Sequence, residues 1–228
     1  MPTTDEPPIG IRRLGREREP VVVIDGYSGM ADELAARAAG AHFADGGAAY
    51  PGIRAPVDAR YLDRRRDLLM QVMREVFGFR QRIELEAANF SLVTRKPEEL
   101  QPIQCLPHYD DASGEVIAVM HYLRGADTGG TAFYRHRRTG FEAITPERQA
   151  EYGAALRADH EEYGMPDRRY HYGDTARFEM IGEVEPRPDR LILYRGWLLH
   201  SGVIPDPAAL ASDPATGRLT VNMFLVGR

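Results

Sequence analysis

The sequence predicts an α+β protein that is mainly β, with helices first and a sandwich or barrel of short strands after them. Two observations indicate this class. Apolar residues at helical spacing are concentrated in the first third of the chain, most clearly over residues 59–77. From about residue 85 onward, short β-type runs separated by Gly, Pro and Asp dominate instead. The length of 228 residues suits one domain with a sizeable core.

The beginning of the chain is predicted to be a loose arm followed by one strand. Residues 1–19 are charged and rich in Pro, a composition that favours disorder over a packed element. The run over residues 21–24 is apolar and β-branched, and a turn at Asp25 and Gly26 closes it. We therefore expect one domain over residues 20–228.

Two helices are predicted next, each with a capping residue before it. Ser28 is expected to cap a helix over residues 30–41, which is rich in Ala, Leu and Glu. Asp58 is expected to cap the strongest helix of the chain, over roughly residues 59–77. Residues 20–84 are therefore expected to form a helical support for the strands that follow.

After Gly78 the pattern changes to short strands, with one helical interruption. The predicted strands cover residues 88–94, 116–123, 131–134, 178–184, 191–194 and 219–226. Residues 145–162 favour a helix with Pro146 in its first turn. We take about residues 145–174 as an insertion into a β core that spans residues 85–228.

Composition excludes several classes of function. The chain has 29 Lys and Arg against 34 Asp and Glu, a net charge of −5 that argues against a nucleic-acid partner. A single Cys excludes an internal disulfide and a cysteine-rich zinc site. Lys96 is the only lysine, and no glycine-rich loop precedes it. No apolar stretch approaches the ~20 residues that span a bilayer, and no export signal is evident, so we expect a cytoplasmic protein without a membrane partner.

Three segments of the predicted β core carry side chains suited to a metal site. His108 and Asp110 stand two residues apart on an extended segment, so their side chains point to the same face. His200 follows an apolar predicted strand. Two imidazoles and one carboxylate can occupy three corners around Fe(II) and leave three positions open. In the last strand Arg218 and Thr220 share one face, where a guanidinium can hold a carboxylate through a planar fork.

Each of these features also has a purely structural interpretation. A His-x-Asp triplet is usually a surface coincidence, a lone His after a strand is usually structural, and an Arg in a last strand usually pairs with a nearby acid. Asp111 is an alternative ligand in a shifted register, but adjacent strand residues point to opposite faces, which favours Asp110. The order and setting of all three segments together favour a mononuclear metal site.

The order of these residues resembles the Fe(II)/2-oxoglutarate-dependent dioxygenases, most closely their prolyl-hydroxylase-like branch. The resemblance covers about residues 85–228 and includes the family's order of His-x-Asp, distal His and Arg. Further segments match strands and turns of that branch, namely residues 119–123, 129–133, 188–194, 200–205 and 217–218. The resemblance implies a double-stranded β-helix of the jelly-roll type, with N-terminal helices packed on one side.

The resemblance also implies a cofactor set and a reaction. It assigns Fe(II) to His108, Asp110 and His200, and the distal carboxylate of the cosubstrate 2-oxoglutarate to Arg218, Thr220 and Tyr122. The implied reaction hydroxylates an unactivated C–H bond and releases succinate and carbon dioxide. Family halogenases carry a small residue in place of the Asp ligand, so Asp110 favours hydroxylation or a related oxidation.

The substrate is not identified by the sequence. The segments between His108 and His200 and between His200 and Arg218 are long for the family, which is expected to reshape the mouth of the site. Arg135, in a basic run, and His171, near the end of the insertion, are candidate substrate contacts. A small-molecule or amino-acid-like substrate is expected, and a protein substrate is the other possibility.

Two other interpretations compete with the oxygenase. A cupin-type metal protein would need a His-x-His cluster, which this sequence lacks. A non-catalytic metal-binding or ligand-binding jelly roll would not need the complete set of His108, Asp110, His200 and Arg218. The sequence therefore favours an enzyme.

Overall fold

Two antiparallel sheets form the core in the computed structural model, which describes residues 7–125 and 128–227. Within these residues the larger sheet has eight strands in the order β1-β2-β9-β6-β11-β5-β4-β3, and the smaller has three in the order β10-β7-β8. The strands are β1 (Ile9–Leu14), β2 (Glu19–Ile24), β3 (Ala44–Asp45), β4 (Gly52–Pro56), β5 (Ile83–Val93), β6 (Val116–Tyr122), β7 (Thr131–His136), β8 (Phe178–Val184), β9 (Arg190–Arg195), β10 (His200–Gly202) and β11 (Leu219–Gly227). The helices are α1 (Ala31–Ala39), α2 (Arg66–Glu75) and α3 (Gln149–Tyr163).

The two faces of the larger sheet have different neighbours. On the outer face, Leu219, Val221 and Met223 of β11 belong to one buried cluster with Leu34 of α1 and Val72 of α2. On the inner face, a second buried cluster joins residues of both sheets, among them Tyr122, Ile192, Tyr194, Phe133 and Leu198. The alternation predicted for the last strand is therefore confirmed, and the architecture is the mainly β, α+β class with helices on one side of the larger sheet.

Residues 9–14 form a strand, contrary to the expected loose arm. They pair with β2 as an antiparallel hairpin. The connecting turn is held because the buried carboxylate of Glu142 accepts the backbone N–H groups of Arg16 and Glu17, each at 2.9 Å. Because Glu142 is distant in sequence, the residues of the hairpin alone give no sign of this contact. The prediction of a loose arm, which rested on composition, was therefore wrong for residues 9–14. Residues 1–6 of the expected arm lie outside the described residues.

The predicted helices are present but shorter. Asp58 accepts the N–H of Arg60, as predicted for a cap, but Ala59–Arg65 is a 3₁₀ helix and α2 begins only at Arg66. The expectation that Ser28 caps α1 is wrong in detail, because the helix begins after Met30 without a side-chain cap. The Ser28 hydroxyl instead donates to the buried carboxylate of Asp189.

Helix α3 occupies the first half of the predicted insertion and covers the outer face of the smaller sheet. Tyr152 of α3 lies in a buried cluster with Phe178 and Leu199. The imidazole Nε2 of His136 lies 2.8 Å from Oδ2 of Asp159, which fastens the helix to β7. No helix in the described part of the chain is long and apolar enough to cross a bilayer.

Candidate metal centre

The backbone places the two predicted metal histidines side by side. The N–H of His108 donates to the carbonyl of His200 at 2.9 Å, and the N–H of His200 donates to the carbonyl of His108 at 2.8 Å. Such a reciprocal pair holds two side chains on the same face at short distance. The N–H of Asp110 donates to the carbonyl of Gly196 at 2.7 Å, which keeps the His-x-Asp segment extended.

Three ligand atoms converge at this point. One nitrogen each of His108 and His200 and one oxygen of Asp110 all lie within 4.8 Å of one another. Asp110 reaches both histidines, with Oδ1 at 3.8 Å from Nε2 of His108 and Oδ2 at 3.6 Å from Nε2 of His200. In the part of the chain that the structure describes, this is the one cluster of three or more such groups.

Hydrogen bonding fixes the orientation of the His200 ring. Its Nδ1 lies 2.8 Å from the carbonyl of Leu198, and because a carbonyl only accepts, Nδ1 carries a proton. Nε2 is therefore the ring nitrogen that faces Asp110 and that could bind a metal ion. The His200 side chain is 6% exposed whereas that of His108 is 48% exposed, so the cluster opens to solvent on the His108 side.

The surroundings favour protonation states that suit a metal. Although the His108 side chain is 48% exposed, enclosure of its ring by the surrounding residues, followed by the charges of His200 and Arg54, lowers its pKa to about 3. Burial raises the pKa of Asp110, while His200 and Arg54 oppose that rise. His108 is thus a neutral imidazole at neutral pH, which is the form that binds a metal ion.

Arg218 lies buried on the inner face of the larger sheet, and no acidic partner for it is found among residues 7–125 and 128–227. Its Nε donates to the carbonyl of Gly129 at 3.1 Å and its Nη2 to that of Gly130 at 2.9 Å. Among the described residues no carboxylate lies within ion-pair distance of this guanidinium, although Arg218 is only 5% exposed. A buried charge is costly unless it is paired, so the arrangement suits an anionic ligand.

The two glycines are required where they stand. A side chain on Gly129 would place Cβ 1.9 Å from the carbonyl oxygen of Val203, and Gly129 has φ +79°. A side chain on Gly130 would place Cβ 2.0 Å from the carbonyl oxygen of Val184. The Gly-Gly pair therefore brings two carbonyls close enough to hold Arg218.

The predicted cosubstrate residues share the inner face of the larger sheet. Thr220 on β11 lies directly opposite Tyr122 on β6. The Tyr122 hydroxyl lies 2.6 Å from the hydroxyl of Thr131, and the Thr220 hydroxyl donates to Oδ1 of Asn222 at 2.8 Å. Burial raises the pKa of Tyr122 to about 12 against the opposing charge of Arg218, so Tyr122 stays a protonated donor.

Three further residues line the site, and the sequence analysis missed them. The ring of Tyr194 lies 4.8 Å from that of His200, and burial followed by the charge of Asp110 raises its pKa. Its inward position could be predicted from the sequence, because Tyr194 and Ile192 stand two residues apart on the predicted strand and therefore point to the same face. Arg54 lies in β4 and Tyr50 lies just before it. This stretch is rich in turn residues and gives no local sign of a strand, because β4 forms by pairing with β5.

The two candidate substrate contacts are not brought to the metal cluster. The guanidinium of Arg135 is buried and bound by the carboxylates of Glu142 and Glu179, which leaves it unavailable to a ligand. The ring of His171, which belongs to the predicted insertion, packs against Tyr134, 4.8 Å away. Neither side chain is therefore among those that converge at the metal cluster.

Solved structures share this fold. HygX from Streptomyces hygroscopicus, in a crystal structure with iron bound, matches with a TM-score of 0.50 and 14% identity over 94% of this chain and 87% of HygX. SnoN, a non-heme α-ketoglutarate-dependent epimerase from nogalamycin biosynthesis, matches with a TM-score of 0.50 and 14% identity over 92% of this chain and 79% of SnoN. At this identity the likeness establishes the fold alone.

The family is established by sequence. The chain belongs to DUF6445, a family of unknown function, whose model matches residues 5–225. No curated protein matches the chain significantly.

Proposed function

We propose that this protein is an Fe(II)- and 2-oxoglutarate-dependent oxygenase that hydroxylates an unactivated C–H bond of a small organic substrate. The observation that carries the proposal is the convergence of His108, Asp110 and His200 beside the buried, acid-free Arg218. The iron in HygX and the α-ketoglutarate dependence of SnoN, two proteins that share the fold, support it. The proposal includes the jelly-roll topology of the prolyl-hydroxylase-like branch.

The metal would be held by the three converging side chains. His108 and His200 would each supply a neutral nitrogen and Asp110 a carboxylate oxygen, a donor set suited to Fe(II). When bound, Fe(II) with 2-oxoglutarate would supply the activation of oxygen and the oxidation of the C–H bond, with succinate and carbon dioxide as co-products. The hydrogen bond from Nδ1 of His200 to Leu198 orients that ring before the metal arrives.

The cosubstrate would be held by its distal carboxylate. Arg218 offers a charged planar donor whose position is set by the carbonyls of the Gly-Gly pair. Tyr122 lies opposite Thr220 on the same inner face and would donate its hydroxyl, which its raised pKa keeps protonated; the Thr220 hydroxyl would donate on turning away from Asn222. These three residues bind and orient the cosubstrate without changing their own protonation.

The outcome of the reaction follows from the ligand set. Because Asp110 supplies a carboxylate to the metal, no vacant protein position remains for a halide, which favours hydroxylation over halogenation. The alternative is a non-catalytic metal-binding or ligand-binding protein. It would give no reason for the complete metal set to stand with a buried Arg218 that has no carboxylate partner among the described residues. The burial of Arg218 and His200 favours a small organic molecule over a folded protein as substrate.

Calorimetry with Ni(II), which binds such sites without turnover, separates the two halves of the site. His108→Ala should lose Ni(II) binding, whereas Arg218→Gln should keep it and raise the Kd of 2-oxoglutarate by about 100-fold, because two charge-assisted hydrogen bonds are lost. Arg60→Gln is the matched control, since Arg60 is exposed and pairs only with Asp58. An Arg218→Gln protein that is folded and binds 2-oxoglutarate as the wild type does would refute this assignment.

A further inference from the structure

Arg54 belongs to the same inner row of side chains as the proposed cosubstrate residues. Thr220 of β11 lies opposite Ser91 of β5, and Ser91 lies opposite Arg54 of β4. Directly opposed residues of antiparallel strands project to the same face of the sheet. The row therefore runs from Tyr122 through Thr220 and Ser91 to Arg54 across four adjacent strands. With strands roughly 4.8 Å apart, Arg54 lies about 10 Å from Thr220 along the row.

In the described part of the chain Arg54 has no acidic partner, and part of its hydrogen-bonding capacity is unused. Its Nε is buried and has no hydrogen-bond partner among the described residues. The same is true of the hydroxyl oxygen of Tyr50. A buried donor without a partner is unfavourable and rare in folded proteins, and each such group calls for an explanation such as a functional role.

Tyr50 and Arg54 form one unit. The guanidinium carbon of Arg54 lies 4.1 Å from the centre of the Tyr50 ring. Stacking over an aromatic face holds a guanidinium in place without using its N–H groups. The donors of Arg54 and the hydroxyl of Tyr50 thus stay available to one shared ligand.

This unit and the proposed cosubstrate residues share one face of the larger sheet. Arg54 lies two strands from Thr220 along the row, and Arg218 immediately precedes β11, the strand that carries Thr220. Burial raises the pKa of Tyr50, and the charges of Arg218 and Arg54, followed by the neighbouring Ser91 hydroxyl, oppose that rise. Among the described residues this face therefore has two guanidinium groups without a carboxylate partner, and 2-oxoglutarate has one distal carboxylate for Arg218.

We propose that Arg54, together with the hydroxyl of Tyr50, binds a carboxylate of the primary substrate, so that the enzyme acts on small organic acids. The inference rests on the proposed function for the assignment of Arg218 to 2-oxoglutarate. A planar guanidinium matches a carboxylate in two parallel hydrogen bonds, and Tyr50 adds a third donor. Arg54 would hold the acid end of the substrate while the remainder extends to the open side of His108.

Small probes test the site without knowledge of the substrate. Protein loaded with Ni(II) and saturated with 2-oxoglutarate, so that Arg218 is occupied, is titrated with acetate or with uncharged acetamide, and binding is followed by saturation-transfer difference NMR. The wild type should bind acetate and not acetamide. Arg54→Gln should weaken acetate binding at least about tenfold and Tyr50→Phe about threefold. Arg54→Lys, which keeps the charge but not the fork, should be intermediate, and Arg60→Gln unchanged.

The outcomes separate this proposal from the proposed function. Acetate binding in folded Arg54→Gln equal to that of the wild type overturns the proposal. So does a rise in the Kd of 2-oxoglutarate in Arg54→Gln as large as that in Arg218→Gln, because Arg54 would then anchor the cosubstrate. If the wild type binds neither Ni(II) nor 2-oxoglutarate, the proposed function fails. In that case acetate binding is measured in metal-free Arg218→Gln protein. If the additional substitution Arg54→Gln abolishes acetate binding, the Arg54 site is supported. If it has no effect on acetate binding, the Arg54 site is overturned.

Discussion

At the scale of single residues, the partners of buried arginines distinguish structural from ligand-binding roles. Arg190 pairs with Asp25, and Arg135 with Glu142 and Glu179, so the charges of these arginines are satisfied within the fold. Arg218 and Arg54 line the inner face of the sheet without such a carboxylate. Because an unpaired charge costs several kcal/mol when it is buried, the buried Arg218 and, to a smaller extent, the partly buried Arg54 are retained at an expense that an anionic ligand would offset.

Local spacing reveals some of these residues and hides others. His108 and Asp110 could be predicted together because two residues on an extended segment share a face, and His200 because it follows a clear strand. Arg135 is held by Glu142, seven positions away, and by Glu179 on β8, and the local sequence indicates neither pairing. Arg54 could not be predicted, since its place at the site depends on the pairing of β4 with β5.

At the scale of elements, the start of β7 links the smaller sheet to the cosubstrate site. In Gly130→Ala the new Cβ would overlap the carbonyl of Val184 on β8, and β7 must move. The variant should lose about 2–3 kcal/mol of unfolding free energy and should bind 2-oxoglutarate at least about tenfold more weakly, because the carbonyl that holds Arg218 is displaced. Urea unfolding and calorimetry with Ni(II) measure the two effects.

A second glycine provides the control. Gly153 lies within α3, and a Cβ there meets nothing nearer than Nη1 of Arg157 at 3.8 Å. Gly153→Ala should therefore raise the unfolding free energy by about 0.5–1 kcal/mol and leave 2-oxoglutarate binding unchanged. Equal 2-oxoglutarate affinity in Gly130→Ala and Gly153→Ala would contradict the role of β7.

Elements were predictable where their signal is local. The strands from 116 to 122 and from 178 to 184 follow from apolar and β-branched runs between turn residues. Strands β1 and β4 are poorly apolar and exist because they extend an existing sheet at or near its edge. Such strands depend on their neighbours, and for them the propensity of the segment carries little information.

At the scale of the whole molecule, Asp189 joins the N-terminal helices to the sheet. Its carboxylate accepts the N–H of Gly29 at 2.6 Å and the hydroxyl of Ser28 at 2.5 Å, and it lies 2.8 Å from Nε2 of His121. Burial raises the pKa of Asp189, but these hydrogen bonds outweigh burial and lower it to about 2. The native state therefore prefers the ionised carboxylate.

The sign of the pH effect follows from this lowered pKa. The stabilisation is complete above the pKa of the unfolded chain, about 4, and is lost as the pH falls through about 2. Asp189→Asn should lower the unfolding free energy by about 2–4 kcal/mol at pH 7, and the difference from the wild type should shrink as the pH falls below about 4. Urea unfolding between pH 7 and pH 3 measures this.

Asp63→Asn is the control, because Asp63 is exposed and lies 3.9 Å from its partner Arg66. It should change the unfolding free energy by less than about 0.5 kcal/mol. A constant difference between the wild type and Asp189→Asn at every pH would contradict the linkage to the carboxylate.

The overall class was predictable, whereas the arrangement was not. Helices followed by many short strands indicate an α+β chain with a β core, and the structure has that composition. The attachment of the helices through Asp189 depends on contacts between residues more than 150 positions apart, and the strand order depends on pairings between segments that are not adjacent in sequence, such as β2 with β9. No local pattern encodes such contacts.

The most direct test of the central claim is an anaerobic titration of the protein with Fe(II) and 2-oxoglutarate. We predict a visible charge-transfer band that saturates at one equivalent of each, is absent from His108→Ala, and gives way to succinate when oxygen is admitted. A wild-type protein that is folded yet shows neither the band nor succinate would contradict the assignment of His108, Asp110, His200 and Arg218 to an oxygenase site.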